Sequence, residues 1–405
     1  MKNIEICVIG LGYIGLPTAA LLASNGYKVI GVDVNQLIVD VVNQGKIHIV
    51  EPELDAYVKS AVSSGNLKAK LSPQVADIFI ICVPTPFIEG SETPLPNIDY
   101  VLAAADSIKS FVEPGNLVIL ESTSPIGTTK KIEQVFQRSG VNTDEINIAY
   151  CPERVLPGNI MRELVENDRV VGGLSFAATQ IVSDFYRTFV RGRVLETNAS
   201  TAEMCKLVEN SYRDVNIAFA NELSILSANE GIDVWKLIEL ANHHPRVNIL
   251  QPGVGVGGHC IAVDPWFLVA QDPMNANLIR VAREVNNFKT KWVIDKIKKC
   301  IDREQIKSDT KIKVACLGIT FKPDIDDLRE SPALQITQSL LNQGYDVIVV
   351  EPNIKKHKSL KLVEINKAIA EANVIAVLVR HKEFLEVDAL KNDYANNVMD
   401  FCGIT

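Results

Sequence analysis

Residues 4–33 read IEICVIGLGYIGLPTAALLASNGYKVIGVD. A β-branched run, Ile4 to Ile9, passes directly into Gly10, Leu11, Gly12, Tyr13, Ile14 and Gly15. A helical pattern then runs from Leu16 to Ser24 and stops at Asn25-Gly26, a pair suited to a helix C-terminus. A second apolar run, Lys28 to Val32, ends in Asp33. Strand, glycine turn, helix and strand make a βαβ unit, whose crossover forces the two strands parallel. In that setting Gly10-x-Gly12-x-x-Gly15 has a physical reading. The glycines allow a tight turn, close approach of the backbone to a pyrophosphate and tight helix–strand packing, while the helix N-terminus adds partial positive charge. Asp33 would accept hydrogen bonds from ribose hydroxyls and repel a 2′-phosphate. The expected cofactor is therefore NAD rather than NADP. The alternative is a structural glycine turn that binds no nucleotide.

Further strand-like runs lie at Ile78–Val83, Leu117–Leu120 and Ile146–Tyr150, with helical patterns between them. From Thr201 to about Gly231 one long helical pattern contains no Pro or Gly. Residues 245–265 are rich in both and read as a loop, and a second helical stretch reaches Cys300. The polar segment 301–310 reads as a linker. Lys313–Gly318 opens another alternating pattern, with strands expected near Asp346–Val350, Val374–Val379 and Asn397–Asp400. The expected fold is α/β, with two Rossmann-like doubly wound domains joined by a long central helix. Its expected divisions are residues 1–200, a central helical and catalytic-loop region 201–300 serving dimerisation, and a smaller α/β domain 301–405.

The composition suits a globular chain: 405 residues, 47% hydrophobic and 22% charged, which is enough apolar material for several cores. No run approaches the roughly 20 apolar residues that span a bilayer, and Gly10 and Gly12 interrupt the N-terminal run where a signal peptide would continue. A net charge of −8 argues against nucleic acid as a partner. The eight cysteines contain no CxxC pair, which points to a reducing, cytoplasmic setting.

Chemistry-bearing residues cluster in the loops. Val83-Pro84-Thr85-Pro86 and Glu121 to Gly127 fall where a parallel sheet presents its ligand crevice, although capping hydroxyls in ordinary loops look the same. Gln251 to Cys260 holds four glycines in six positions, so its backbone could touch a bulky ligand and Cys260 could act as a nucleophile. A buried core cysteine is the alternative. Lys206, Asn210 and Arg213 stand at i, i+4 and i+7 on the long helix and share a face, either of a site or of a solvated stripe. Cys151–Gly158, Phe321-Lys322-Pro323 and Arg329-Glu330-Ser331-Pro332 add charged groups to constrained loops. His259 is the only histidine near His243 and His244, and its neighbour Cys260 points the other way in an extended loop, so no metal is expected.

Together these motifs resemble the UDP-glucose/GDP-mannose dehydrogenase family over essentially the whole chain, and within it the UDP-N-acetylhexosamine 6-dehydrogenases. The matching stretches are GLGYIGLP (10–17), VPTP (83–86), ESTSPIGTT (121–129), CPERVLPG (151–158), KLVENSYRDVNIAFANE (206–222), HPRVNILQPGVGVGGHCIAVDP (244–265) and FKPDIDDLRESPA (321–333). His259 and Val263 differ from the UDP-glucose branch and look like the branch acting on UDP-N-acetyl-D-mannosamine. The resemblance implies an NAD-dependent, four-electron oxidation of the sugar C6 alcohol to a carboxylate, supplying a surface polysaccharide. It implies that Cys260 carries a thiohemiacetal and then a thioester. Lys206 and Asn210 would handle the oxyanion, and Asp264, Glu153 and Thr123 the hydrolytic water. It assigns Gly10, Gly12, Tyr13, Ile14, Gly15, Asp33, Thr85, Thr123 and Arg329 to the cofactor. To the nucleotide sugar it assigns Arg154, Val155, Lys206, Asn210, Arg213, His244, Arg246, Gly257, Phe321 and Lys322. It also implies a homodimer through the central helices, with Arg246 reaching into the neighbouring site. Two residues depart from the family pattern: Val254 where Pro is common, and Cys402 where a basic residue is usual. UDP-N-acetylglucosamine or UDP-glucose as substrate, a single-hydride dehydrogenase and a silent nucleotide-sugar binder are the competing readings.

Overall fold

In the computed structural model, which describes residues 4–88, 94–391 and 398–404, the central strands are almost wholly apolar because both of their faces are covered. Ile78–Ile81 (IFII) and Leu117–Leu120 (LVIL) are buried at every position. The chain falls into two units, Met1–Val208 and Glu209–Thr405.

The first unit runs β1 (Glu5–Ile9), α1 (Gly15–Ser24), β2 (Lys28–Val32), α2 (Gln36–Asn43), α3 (Leu54–Ser63), β3 (Leu67–Lys70), β4 (Ile78–Ile81) and α4 (Asp99–Ile108). It continues with β5 (Leu117–Leu120), α5 (Thr128–Arg138), β6 (Asn147–Tyr150), α6 (Ile160–Glu166), β7 (Arg169–Gly173), α7 (Phe176–Arg187), β8 (Val194–Asn198) and the first part of α8 (Ala199–Glu230). The sheet order is β3-β2-β1-β4-β5-β6-β7-β8, parallel at every pairing except β6 with β7. Side chains alternate between two cores: Ile6, Val8, Ile80 and Ile119 meet α1, α3 and α7, whereas Cys7, Phe79, Ile81 and Val118 meet α4 and α5. Strand order reverses between β1 and β4, which opens a crevice beyond their carboxyl ends.

The second unit holds the rest of α8, then α9 (Val234–Ala241), α10 (Asp264–Gln271), α11 (Asn277–Gln305), β9 (Lys313–Leu317), α12 (Pro332–Asn342) and β10 (Asp346–Val350). After these come α13 (Ile365–Glu371), β11 (Val374–Val377), α14 (Lys382–Leu385), α15 (Asp388–Lys391) and β12 (Val398–Asp400). Its four strands are all parallel, in the order β10-β9-β11-β12. This is the second doubly wound sheet: Val314 and Cys316 pack towards α11 and α12, and Ala315 and Leu317 towards α13 and α14.

One helix end differs from expectation. The segment taken as a linker from residue 301 is helical as far as Gln305, because Ile297, Cys300 and Ile301 bury their side chains against the second sheet. The last strand begins at Val398 among the described residues; Asn397 lies outside them, as do Met1–Asn3. Among the described residues no helix is long and apolar enough to cross a membrane.

Candidate active site

The glycine turn of the first unit is built for close approach. Gly10 has φ +91° and its N–H donates to Val32 O at 2.7 Å. A Cβ on Gly10 would lie 2.7 Å from Cys82 O, and one on Gly15 would meet Gly10 O at 1.8 Å. At Gly12 nothing lies within 4 Å of that position, so the missing side chain leaves open space where a pyrophosphate would lie. Asp33 Oδ2 accepts from Leu11 N at 3.0 Å and Oδ1 from Asn35 N at 2.9 Å, which locks the carboxylate beside the turn with lone pairs to spare for ribose hydroxyls. These residues fit a dinucleotide. Thr85 donates its hydroxyl to Thr123 O at 2.7 Å, tying together the loops after β4 and β5. Tyr13 is exposed, and Thr123 and Ile14 are half-buried.

Further along the same sheet end, the loop after β6 carries Glu153, Arg154 and Val155. Lys206, buried on α8, donates to Glu153 O at 2.8 Å, so it does not belong to a solvated stripe. Burial pushes the Glu153 carboxyl up to about 7, against the opposing pull of Lys206 and Arg169. Its Oε1 is buried with no hydrogen-bond partner among the described residues. Arg154 donates to Asp168 O at 3.1 Å. Behind this loop lies a group the motifs did not reveal. Buried Glu121 accepts from Tyr186 OH (2.7 Å), Thr18 Oγ1 (3.3 Å) and Cys82 Sγ (3.3 Å), and the Arg169 guanidinium lies 5.6 Å from the Tyr186 ring centre. Glu121 opens the ESTSPIG stretch, so position alone marked it as notable; its partners come from three other elements.

In the second unit Asn210 donates to Asp264 Oδ2 at 2.5 Å, and Asp264 N donates to Cys260 O at 2.8 Å. Asp264 is buried at the start of α10, with Pro265 in the first turn, while Cys260 is exposed at the end of its loop. That loop is anchored by Asn221, which accepts from Gly253 N at 2.9 Å, and by Thr290, which donates to Val254 O at 2.9 Å. Two of its glycines make room for another part of the same unit. A Cβ on Gly257 would lie 2.4 Å from Glu330 O and 2.8 Å from Phe321 Cβ, and one on Gly258 would lie 2.8 Å from the Phe321 ring. At these two positions the space is taken by the protein's own 321–330 loop, and Gly258 N–H is spent on Arg329 O at 3.0 Å. Val254, in place of the usual Pro, is buried in the α11 core.

The 321–330 loop is itself held from below. Glu351, at the end of β10, accepts from Ile319 N (2.8 Å), Thr320 N (3.3 Å) and Asn353 N (2.9 Å), and lies 3.2 Å from His381 Nε2. Burial raises the Glu351 carboxyl, but these hydrogen bonds outweigh it and hold the group below its ordinary value. His381 Nδ1 accepts from Asp324 N (3.0 Å) and lies 2.9 Å from Asn353 Nδ2, so its lone pair is already engaged. Glu351 in the second sheet thus repeats the placement of Asp33 in the first, a likeness visible only once both strands are aligned. Arg329 is gripped by Asp327 at 2.7–3.1 Å, and the 321–330 loop, which carries Lys322, turns at left-handed Asp324 (φ +60°) and Glu330 (φ +49°). Arg213, His244 and Arg246 are exposed, and Arg246 N closes a turn on His244 Nδ1 at 3.3 Å.

Comparison with known proteins agrees with this arrangement. Residues 4–190 match the NAD-binding domain of the UDP-glucose/GDP-mannose dehydrogenase family, 200–288 its central domain and 315–404 its UDP-binding domain. The chain belongs to the UDP-glucose/GDP-mannose dehydrogenase family. It is an NAD-dependent nucleotide-sugar dehydrogenase, an oxidoreductase, and the glycine turn at Gly10–Gly15 lies inside the NAD-binding domain. The UDP-N-acetyl-D-mannosamine dehydrogenase of Campylobacter jejuni is 54% identical over 98% of this chain and 99% of its own length. The NDP-N-acetyl-D-galactosaminuronic acid dehydrogenase of Ralstonia nicotianae is 50% identical over 95% of this chain and 92% of its own length. Among solved structures, the UDP-D-ManNAc dehydrogenase of Pyrococcus horikoshii superposes with a TM-score of 0.90 at 37% identity, covering 99% of this chain and 96% of that one.

Proposed function

We propose that this family member oxidises UDP-N-acetyl-D-mannosamine at C6 to UDP-N-acetyl-D-mannosaminuronate. The linked set Asn210–Asp264–Cys260 is the observation that carries the chemistry: an exposed cysteine at the end of an anchored loop accepts on its backbone carbonyl from the backbone N–H of Asp264, whose buried carboxylate accepts from the Asn210 amide. Full-length likeness to a relative named for this sugar supports the choice of substrate.

NAD supplies the hydride acceptor for each of the two oxidations. Lys206 stabilises the alkoxide as the C6 alcohol releases its proton to water and its hydride to the cofactor, giving an aldehyde. The Cys260 thiolate adds to that aldehyde, forming a thiohemiacetal whose carbon can again give up a hydride; a thioester results. Glu153, with its carboxyl near 7, takes a proton from water, whose oxygen attacks the thioester carbon and releases the acid and the thiol. Asp264 and Thr123 orient that water, and Asn210 holds the oxygen. Arg154, Val155, Arg213, His244, Arg246, Gly257, Phe321 and Lys322 bind the nucleotide sugar, with the cations offsetting its diphosphate. Arg329 reaches the cofactor. The functional divisions follow as residues 1–200, 201–300 and 301–405. The cytoplasm, where thiols stay reduced, suits a catalytic cysteine.

The homodimer belongs to the same proposal. Met204, Val208, Tyr212, Phe219 and Leu226 are exposed apolar residues that fall on one side of α8 when placed at helical spacing. The decisive experiment counts NADH formed per sugar at completion with UDP-N-acetyl-D-mannosamine, UDP-N-acetylglucosamine and UDP-glucose. Two NADH from the first sugar alone is the expected result. Two from another sugar would move the substrate and keep the mechanism, whereas one NADH would remove the covalent role of Cys260.

A further inference from the structure

A cavity of about 390 Å³ in the second unit is lined by residues from α8, α9, α11 and β12, none of which has a part in the oxidation described above. Its walls are mostly apolar, including Trp235, Trp292 and Phe401, and its charged lining groups are Lys289, Lys296, Asp233 and Asp400. Both acids are held by backbone N–H groups rather than by either lysine. Asp233 caps α9 by accepting from Trp235 N and Lys236 N, and Asp400 accepts from Cys402 N, Gly403 N and Ile404 N. Neither ammonium group forms an ion pair with them. Lys289, only 2% exposed, donates to Ser224 Oγ at 2.6 Å and lies 4.1 Å from the centre of the Trp292 ring. Lys296 lies 5.0 Å from the same ring centre. Neither has a carboxylate partner among the described residues, and α8 offers only uncharged Ser224 and Ala228 to this cavity.

We propose that this cavity binds a small organic anion with an apolar ring, its charge met by Lys289 and Lys296 and its ring by the indole and phenyl walls. A buried cation without a direct ion-pair partner is costly, and an anion of a size that this volume admits supplies one. Burial and the neighbouring Lys296 bring the Lys289 ammonium down to about 7. An anion beside it raises that value again, so binding takes up a proton. Affinity then weakens as pH rises above 7, by at most tenfold per unit for one coupled proton.

The test uses 2-naphthoate as the anionic probe and 2-naphthamide as its neutral counterpart. Binding to the full chain is followed by calorimetry and by quenching of Trp fluorescence, with NAD and UDP present at saturation. One naphthoate per chain is expected, bound at least tenfold more tightly than the amide and more tightly at pH 6.5 than at pH 8.5. Lys289→Met should weaken naphthoate at least tenfold and abolish the pH dependence. Lys296→Gln, at a half-exposed position where folding is not at stake, should weaken it several-fold. Equal binding of acid and amide, unchanged binding in Lys296→Gln, displacement by NAD or UDP, or no binding at millimolar probe would each overturn the proposal.

Discussion

Burial keeps the Glu153 carboxyl half protonated near pH 7, and that one property makes two tests. Because its value in the folded chain lies above the ordinary 4.5, the protonated form stabilises the fold; that stability is present in acid and is lost as pH rises from about 4.5 through about 7. Glu153→Gln should therefore raise the melting temperature at pH 8, gaining up to about 3 kcal/mol, and change it little at pH 5. The same variant should slow acid formation by about 10²- to 10⁴-fold, since an amide cannot take the proton from water, and it should erase the rise in rate through pH 7. A variant that is more stable at pH 8 yet fully active would show that Glu153 is merely buried. At Cys260 the expectation is simpler. Cys260→Ser should form no acid and bind NAD normally, and normal turnover by that protein would end the covalent mechanism.

Among the elements, the loop ending in Cys260 has the least room to change. Gly257 faces Glu330 O at 2.4 Å from where a Cβ would stand, and that atom is backbone that cannot swing aside. Gly257→Ala should push the loop away from its neighbour, cost about 1–3 kcal/mol and lower turnover more than NAD affinity. Differential scanning and NAD titration together check this; an alanine chain with native melting and native turnover would refute the packing role. A glycine run in the sequence says only that side chains are absent. What fills the space, Phe321 and Glu330, lies more than sixty residues further along the chain. Long-range pairing likewise set the end of α11, since the polar letters of residues 302–305 hid a helix whose buried side lies at Ile297, Cys300 and Ile301.

For the whole molecule the apolar side of α8 is the feature that a lone chain leaves unexplained. Phe219 and Leu226 are each more than half exposed, and burying such residues is worth roughly 1.5–3 kcal/mol apiece. Phe219→Glu should shift the mass measured by light scattering from dimer to monomer while leaving the two domains folded by circular dichroism. An unchanged mass would move the interface elsewhere. Sequence alone settled the βαβ turn at Gly10–Gly15, the parallel sheets, the long helix and the positions of Lys206, Asn210 and Cys260. These are local matters, because periodicity and short spacings act through neighbours along the chain. The charge state of Glu153, the grip of Asn210 on Asp264, the Glu351–His381 support beneath the 321–330 loop and the burial of Lys289 were decided only by tertiary structure. Desolvation and hydrogen-bond partnership depend on which distant residues arrive alongside, and no spacing within a motif records that.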